Sequence, residues 1–279
     1  MKMKKWVYNT LIIVLGIVFV VSACFLADYI IGSVEQKQQY DDLSDLVQQN
    51  MPTYSPTDPT APTGDVTAPT EPPVVLVEVT DPDTGKTVQV LQEYAEIYKL
   101  NNHLVGWIRI PGTRVDYPVL QTPDSPDYYL DKDFYGKSAK QGAIYAREVC
   151  DVAKPSDNIT LYGHHMQDGS MFADIMDYQH KSFYEQHKYL TFDTLTEHHT
   201  YEVIACFKTT ASVGKGFKYH SYVDFGSEAR FEEFMRMVKG YDFFDTGVTA
   251  AYGDKLICLS TCEYTLTNGR LVVVAKRIS

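Results

Sequence analysis

Two short segments put reactive side chains where an apolar run ends. In Asn158-Ile-Thr-Leu-Tyr-Gly163-His164-His165-Met166, residues of strand-forming character lead into a glycine and two histidines. In Lys255-Leu-Ile-Cys258-Leu-Ser-Thr-Cys262-Glu263-Tyr264 a second run ends on a cysteine, and Arg270 then opens the last apolar run, Leu271-Val-Val-Val-Ala275. A free thiol with a pKa of about 8.5 is only a few per cent thiolate at neutral pH, so a nucleophilic cysteine needs a base or a cationic environment. His164, or its neighbour His165, together with Arg270 can supply both. Arginine also offers N–H donors to an oxyanion forming at a carbonyl, and histidine can protonate a leaving amine. The chemistry these types suit is acyl transfer through a thioester.

Each residue also has a plain reading. A cysteine near a strand end is more often a small buried hydrophobe, which is the reading adopted for Cys150, Cys206 and Cys258. A His-His pair after glycine can be a polar turn, and an arginine opening a strand can cap a sheet edge. The cysteines number five (Cys24, Cys150, Cys206, Cys258, Cys262), odd and without a C-x-x-C pair, so neither a disulfide framework nor a zinc site is suggested.

The elements that must position these side chains are mainly strands. Runs at 106–110, 115–120, 142–146, 158–162, 201–208, 255–262 and 271–278 are short and separated by turn residues, which points to an antiparallel barrel or sandwich. If the last two pair as a hairpin, Cys262 and Arg270 face each other across its open end, where a rigid scaffold can hold reactive groups in solvent. A helix is expected from Leu91, where Leu91, Tyr94, Ala95 and Tyr98 recur at helical spacing. A second, Ser227 to Lys239, carries Phe231, Phe234, Met235 and Val238 on one face, has Glu228 in its first turn and stops at Lys239-Gly240.

The N-terminus reads as a membrane signal. Lys2, Lys4 and Lys5 precede an uncharged, Leu/Ile/Val/Phe-dominated stretch from Trp6 to Ala27, about 30 Å long as a helix and so about as thick as a bilayer core. Basic residues in front and mainly acidic ones behind place the N-terminus in the cytoplasm and the remainder outside. Apolar residues continue through Phe25, Leu26, Tyr29, Ile30 and Ile31, which favours an uncleaved anchor over a cleaved signal peptide. Val21-Ser22-Ala23-Cys24 resembles a lipoprotein box, so lipidation of Cys24 is the main rival. Residues 33–50 suggest a short juxtamembrane helix, and 51–73 a semi-stiff Pro/Thr-rich spacer. Residues 74–90 form a small hairpin around Asp83-Thr84-Gly85-Lys86 or more linker. The expected layout is a tail at 1–5, an anchor at 6–32, a linker at 33–90 and one catalytic domain at 91–279. A net charge of −11 argues against a nucleic-acid partner, which needs a basic face.

The two reactive segments resemble the signature of the sortase family. Tyr162-Gly-His164-His165-Met166-Gln-Asp-Gly-Ser-Met-Phe172 and Leu259-Ser-Thr-Cys262-Glu263-Tyr resemble its class B in particular. So do Val105-Gly-Trp-Ile-Arg-Ile-Pro-Gly-Thr113, Asp116-Tyr-Pro-Val-Leu-Gln121 and Tyr128-Tyr-Leu-Asp-Lys-Asp-Phe134. The resemblance runs from about Leu91 to the C-terminus. It implies a closed β-barrel of about eight strands, with an N-terminal helix and an extra helix between late strands. It also implies that His164, not His165, is the acid/base, Cys262 the nucleophile and Arg270 the catalytic arginine. Leu130, Ser260 and Glu263 fall where class B enzymes contact their sorting peptide. Pro126 stands where a polar residue is commoner, and the turn from Thr265 to Gly269 falls in a stretch of variable length.

The implied reaction cleaves a C-terminal sorting motif of the Asn-Pro-x-Thr-x kind at its threonine and joins that threonine to a peptidoglycan amine, without metal or organic cofactor. Three other protein classes fit the residue types less well. An L,D-transpeptidase would carry a Ser-His-Gly-Cys block, which is absent. In a papain-like hydrolase the cysteine precedes the histidine, the reverse of the order here. A non-catalytic surface module would leave the three residues incidental.

Overall fold

The computed structural model describes residues 5–52, 68–69 and 71–279; most of the expected Pro/Thr-rich spacer lies outside the described residues. The chain divides into two compact units, Met1–Asp41 and Asp42–Ser279. In the first, the apolar stretch is helical and exposed over residues 9–27, with Phe19 and Phe25 among its uncovered side chains. Helix α1 is continuous over Lys5–Asn50, so the anchor and juxtamembrane segments are one element rather than two.

Within the second unit the last turns of α1 bury Leu43 and Val47. Ser44 Oγ there donates to Asp116, which also accepts from Trp107 Nε1 (2.6 Å) and Arg109 Nε (3.0 Å). The expected hairpin forms as β1 (Leu76–Thr80) and β2 (Thr87–Leu91), with Leu76 opposite Leu91. Asp81 holds its turn by accepting from the backbone N–H groups of Asp83 and Thr84. A short helical segment follows, ending in α2 (Ala95–Leu100).

The remaining strands are β3 (Leu104–Arg109), β4 (Asp116–Leu120), β5 (Ile144–Ala146), β6 (Asn158–Tyr162), β7 (Tyr189–Thr194), β8 (Thr200–Thr210), β9 (Leu256–Glu263) and β10 (Gly269–Arg277). They close into a barrel in the order β10-β8-β7-β3-β4-β5-β6-β9. Closure leaves no unpaired edge. Two neighbouring pairs are parallel, β4 with β5 and β6 with β9, which a purely antiparallel reading does not anticipate. Strand β7 went unrecognised in the sequence.

A short helix α3 (Lys181–Gln186) precedes β7, and between β8 and β9 lies α4 (Glu228–Tyr241), where Ser227 accepts from the Arg230 N–H as its N-cap. Phe231, Phe234 and Val238 pack with Phe207, Phe217 and Val272 to make one apolar core. The helix runs through Gly240, past the expected stop. It ends where Phe243 N–H bonds to the Cys206 carbonyl and Asp242 accepts from the Cys206 N–H, turning the chain onto β8.

Candidate active site

Strand register brings the reactive residues together. Strands β6 and β9 run parallel with Tyr162 opposite Ser260. Two residues further along, His164 and Cys262 leave adjacent strands at the same height. On the other side of β9, Cys262 is directly opposite Arg270 in the antiparallel pair with β10. That pair lies beside the turn of the hairpin, with only Glu263 and Gly269 beyond it, and not at the open end expected from sequence. Thr261 Oγ1 donates to the Gly163 carbonyl (2.8 Å) and locks the two strand ends. Gly163 has to be glycine: a Cβ there would collide with Ile144 and come within 2.8 Å of the Phe172 ring.

His164, Cys262 and Arg270 line one cavity of about 220 Å³, together with Leu130, Ser260 and Tyr162. Leu130 belongs to a single turn, Tyr128–Leu130, in the loop between β4 and β5, and its carbonyl lies 2.7 Å from His164 Nε2. A carbonyl only accepts, so Nε2 carries a hydrogen and Nδ1 is the ring position that gains or loses a proton. The hydrogen bond to His164 pulls the Cys262 thiol below its ordinary pKa, helped by the Arg270 charge and opposed by burial. The bond to Cys262 and the Leu130 carbonyl push His164 up, against burial and Arg270. Both directions favour a thiolate facing an imidazolium.

The other cysteines of this unit are buried, and burial raises the pKa of Cys150, Cys206 and Cys258, so their thiols stay protonated. His165 does not line the cavity; its ring stacks on Tyr264, 5.4 Å between centroids. Arg270 makes no ion pair among the described residues, and one of its nitrogens donates to the Gly269 carbonyl.

The expected substrate contacts divide. Leu130 and Ser260 line the cavity, Ser260 buried and 2.6 Å from the Tyr219 hydroxyl. Glu263 does not line it. Its carboxylate accepts from Thr265 and Leu266 and pairs with Lys208 at 3.1 Å, so it is committed to the β9–β10 turn. Burial would raise this carboxyl, but Thr265 and then Lys208 hold it low. The Leu130 carbonyl, Tyr162, Thr261 and His220 went unrecognised; their signal is a register, which no local spacing displays. No group of His, Cys, Asp or Glu suited to a metal ion occurs among the described residues.

A sortase-domain profile matches residues 108–278. Sortase B of Staphylococcus aureus is 34% identical over 193 residues, covering 68% of this chain and 76% of that protein. Sortase B of Listeria monocytogenes is 32% identical over 198 residues, covering 70% and 78%. The solved sortase B–substrate complex of Staphylococcus aureus superposes with a TM-score of 0.69 at 26% identity, covering 89% of this chain and 99% of that one. The chain belongs to the sortase family, and within it the similarity is to class B. Membership supports a cysteine transpeptidase of cell-wall sorting.

Proposed function

We propose that this protein cleaves a C-terminal sorting motif of the Asn-Pro-x-Thr-x type in secreted proteins and joins the threonine carboxyl to a peptidoglycan amine. The observation that carries this is the row of His164, Cys262 and Arg270 on one cavity wall, with thiol and imidazole shifted toward the ionised pair. Cys262 Sγ attacks the threonine carbonyl, and Arg270 N–H groups stabilise the oxyanion. As the C–N bond breaks, imidazolium His164 gives its proton to the leaving amine, and a thioester remains. The acceptor amine then attacks that thioester; C–N forms, C–S breaks, its proton passes to His164 and Cys262 leaves as thiolate. Leu130 and Ser260 contact the sorting peptide, and Glu263 shapes the wall they face by holding the adjoining turn.

Residues 6–32 anchor the chain with the N-terminus inside and the catalytic part, from about residue 91, outside. The continuous helix through Cys24 supports an anchor over a lipidated start. Mass analysis of the membrane-purified protein should find an intact N-terminus; a diacylglyceryl adduct on Cys24 would reverse this. For the reaction, the full chain in detergent is incubated with a sorting peptide and its mass followed. An acyl adduct released by hydroxylamine and absent in Cys262→Ala is expected; cleavage that persists in that variant would refute the assignment.

A further inference from the structure

Among the described residues, Asp127 is the one acidic residue on the cavity wall that carries Cys262, His164 and Arg270. Its backbone is left-handed (φ 58, ψ 15), a conformation found at only three non-glycine positions among the described residues. Asparagine and aspartate tolerate it best, and backbone strain of this kind gathers at functional sites. The same loop supplies the carbonyl of Leu130 that holds His164, and Asp127 O accepts the Leu130 N–H at 2.9 Å. The Tyr145 hydroxyl donates to Asp127 Oδ1 at 2.8 Å. Tyr145, buried on β5 and opposite Tyr162, is near enough to Arg270 to feel its charge. The carboxylate is therefore oriented by a tyrosine anchored in the barrel. Among the described residues it has no cationic partner, and it is solvent-exposed on the wall of the cavity that Cys262 also lines.

We infer that Asp127 selects the acyl acceptor by docking it as an ammonium ion beside the Cys262 thioester. This rests on the transpeptidase reading and deepens it. An aliphatic or N-terminal amine arrives mostly as R–NH3+ at neutral pH, whereas the competing nucleophile, water, is uncharged. A fixed carboxylate at the cavity wall concentrates the first and not the second. The ammonium sheds one proton to solvent as it leaves Asp127, and R–NH2 attacks the thioester carbonyl. The second amine proton goes to His164, neutral since acylation, and the thiolate departs. Arg270 reaches the cavity from β10 and Asp127 from the loop between β4 and β5, so cation and anion are supplied by different elements.

The test uses the full chain with a sorting peptide and two acceptors, triglycine amide, largely cationic at pH 7, and hydroxylamine, largely neutral. Asp127→Asn keeps the left-handed backbone and the acceptor for Tyr145. It should lower the ratio of triglycine amide to hydroxylamine kcat/KM about fivefold, the size of one exposed ion pair. The wild-type ratio should fall as salt is raised and the variant's should not. Tyr145→Phe, which frees the carboxylate, should lower the ratio by less. An unchanged ratio, or a rise confined to the KM of the sorting peptide, would overturn the assignment. Wild-type protein that forms no acyl adduct with any acceptor would remove the transpeptidase reading itself, and the acceptor role with it.

Discussion

Two histidines of this protein are pushed toward the charged form, and they do different things. His164 stands half-buried at a cavity, between the Leu130 carbonyl and a thiol. His198 stands at the turn between β7 and β8, its side chain 2% exposed, with Nε2 3.2 Å from Glu93 and Nδ1 3.0 Å from Asp193. Burial works against its charge, but the contact with Asp193 and then the charges of Asp193 and Glu93 outweigh it. Asp193 also accepts from the Tyr94 hydroxyl at 2.6 Å, and Leu91 N–H bonds to the Leu195 carbonyl. This second centre ties the entry of the N-terminal helical segment to the barrel. A raised imidazole pKa reports an anion nearby and nothing more. What separates the two is the partner's chemistry and its access: a thiol lining an open cavity against carboxylates closed inside a core.

That contrast is most exposed to failure at His164. His164→Gln should slow acylation about 10³-fold, the middle of the range for loss of a general acid, while the Tm moves by no more than about 2 °C. Rates come from single-turnover adduct formation and Tm from calorimetry. A large drop in Tm with little loss of rate would exchange the roles of the two histidines. Arg270 comes next. Arg270→Lys keeps the charge and loses the planar donors, so acylation should fall about 10²-fold while the ascending limb of the pH profile stays in place. Arg270→Met should fall as far and also move that limb to higher pH, because the Arg270 charge helps hold the Cys262 thiol low. Equal limbs in the two variants would mean that Arg270 acts by geometry alone.

His198→Gln reverses the pattern. It leaves two buried carboxylates facing each other without a cation, a loss of about 3 kcal/mol. In a domain of this size that lowers the Tm by roughly 6–12 °C. Acylation at 20 °C should stay within about twofold of wild type, since Glu93, Asp193 and His198 do not line the cavity. A tenfold loss of rate in a variant still folded at the assay temperature would show coupling between the two centres.

The two centres were not equally legible in the sequence. His164, Cys262 and Arg270 stand in contiguous motifs whose strand, glycine and turn residues are all local, so the elements could be placed by inspection. Their meeting depends on a parallel register between segments nearly 100 positions apart, which only family resemblance could suggest. The Glu93–Asp193–His198 centre has no motif, because Glu93 sits in a helical turn far upstream of Asp193 on β7 and of His198 in the turn after it. Strand β7 itself is readable by period, since Leu190 and Phe192 alternate with Tyr189, Thr191 and Asp193, but the burial of the Asp193 carboxylate is not, because its partner Tyr94 is distant in sequence. The bonding of Glu263 is hidden in the sequence for a related reason. Position beside Cys262 suggested a substrate contact, while Lys208 on β8, invisible locally, draws its carboxylate inward. The hairpin at 76–91 and α4 were readable because turn, cap and apolar face all lie within a few residues.

The smallest effect is the one that ties the buried centre to its cause. A histidine whose pKa is raised by folding contributes stability that is complete below its unfolded value, about 6.5, and is lost as pH rises through the folded value. Glu93, pushed up by burial first and by the Asp193 charge, acts in the same sense, since its neutral form also suits the fold. The other charged groups around the centre are Glu71 and, beside His199, Arg277 and Glu197; His199 itself is pushed down by burial and Arg277, the opposite direction to His198. The Tm gap between wild type and His198→Gln should therefore be widest near pH 6 and narrow steadily toward pH 9. The His164→Gln gap should stay small throughout. Calorimetry at half-unit steps reads both. A His198→Gln gap that widens toward alkaline pH would mean that the imidazole is held neutral between the carboxylates, and the likeness between the two histidines would then be lost along with the contrast.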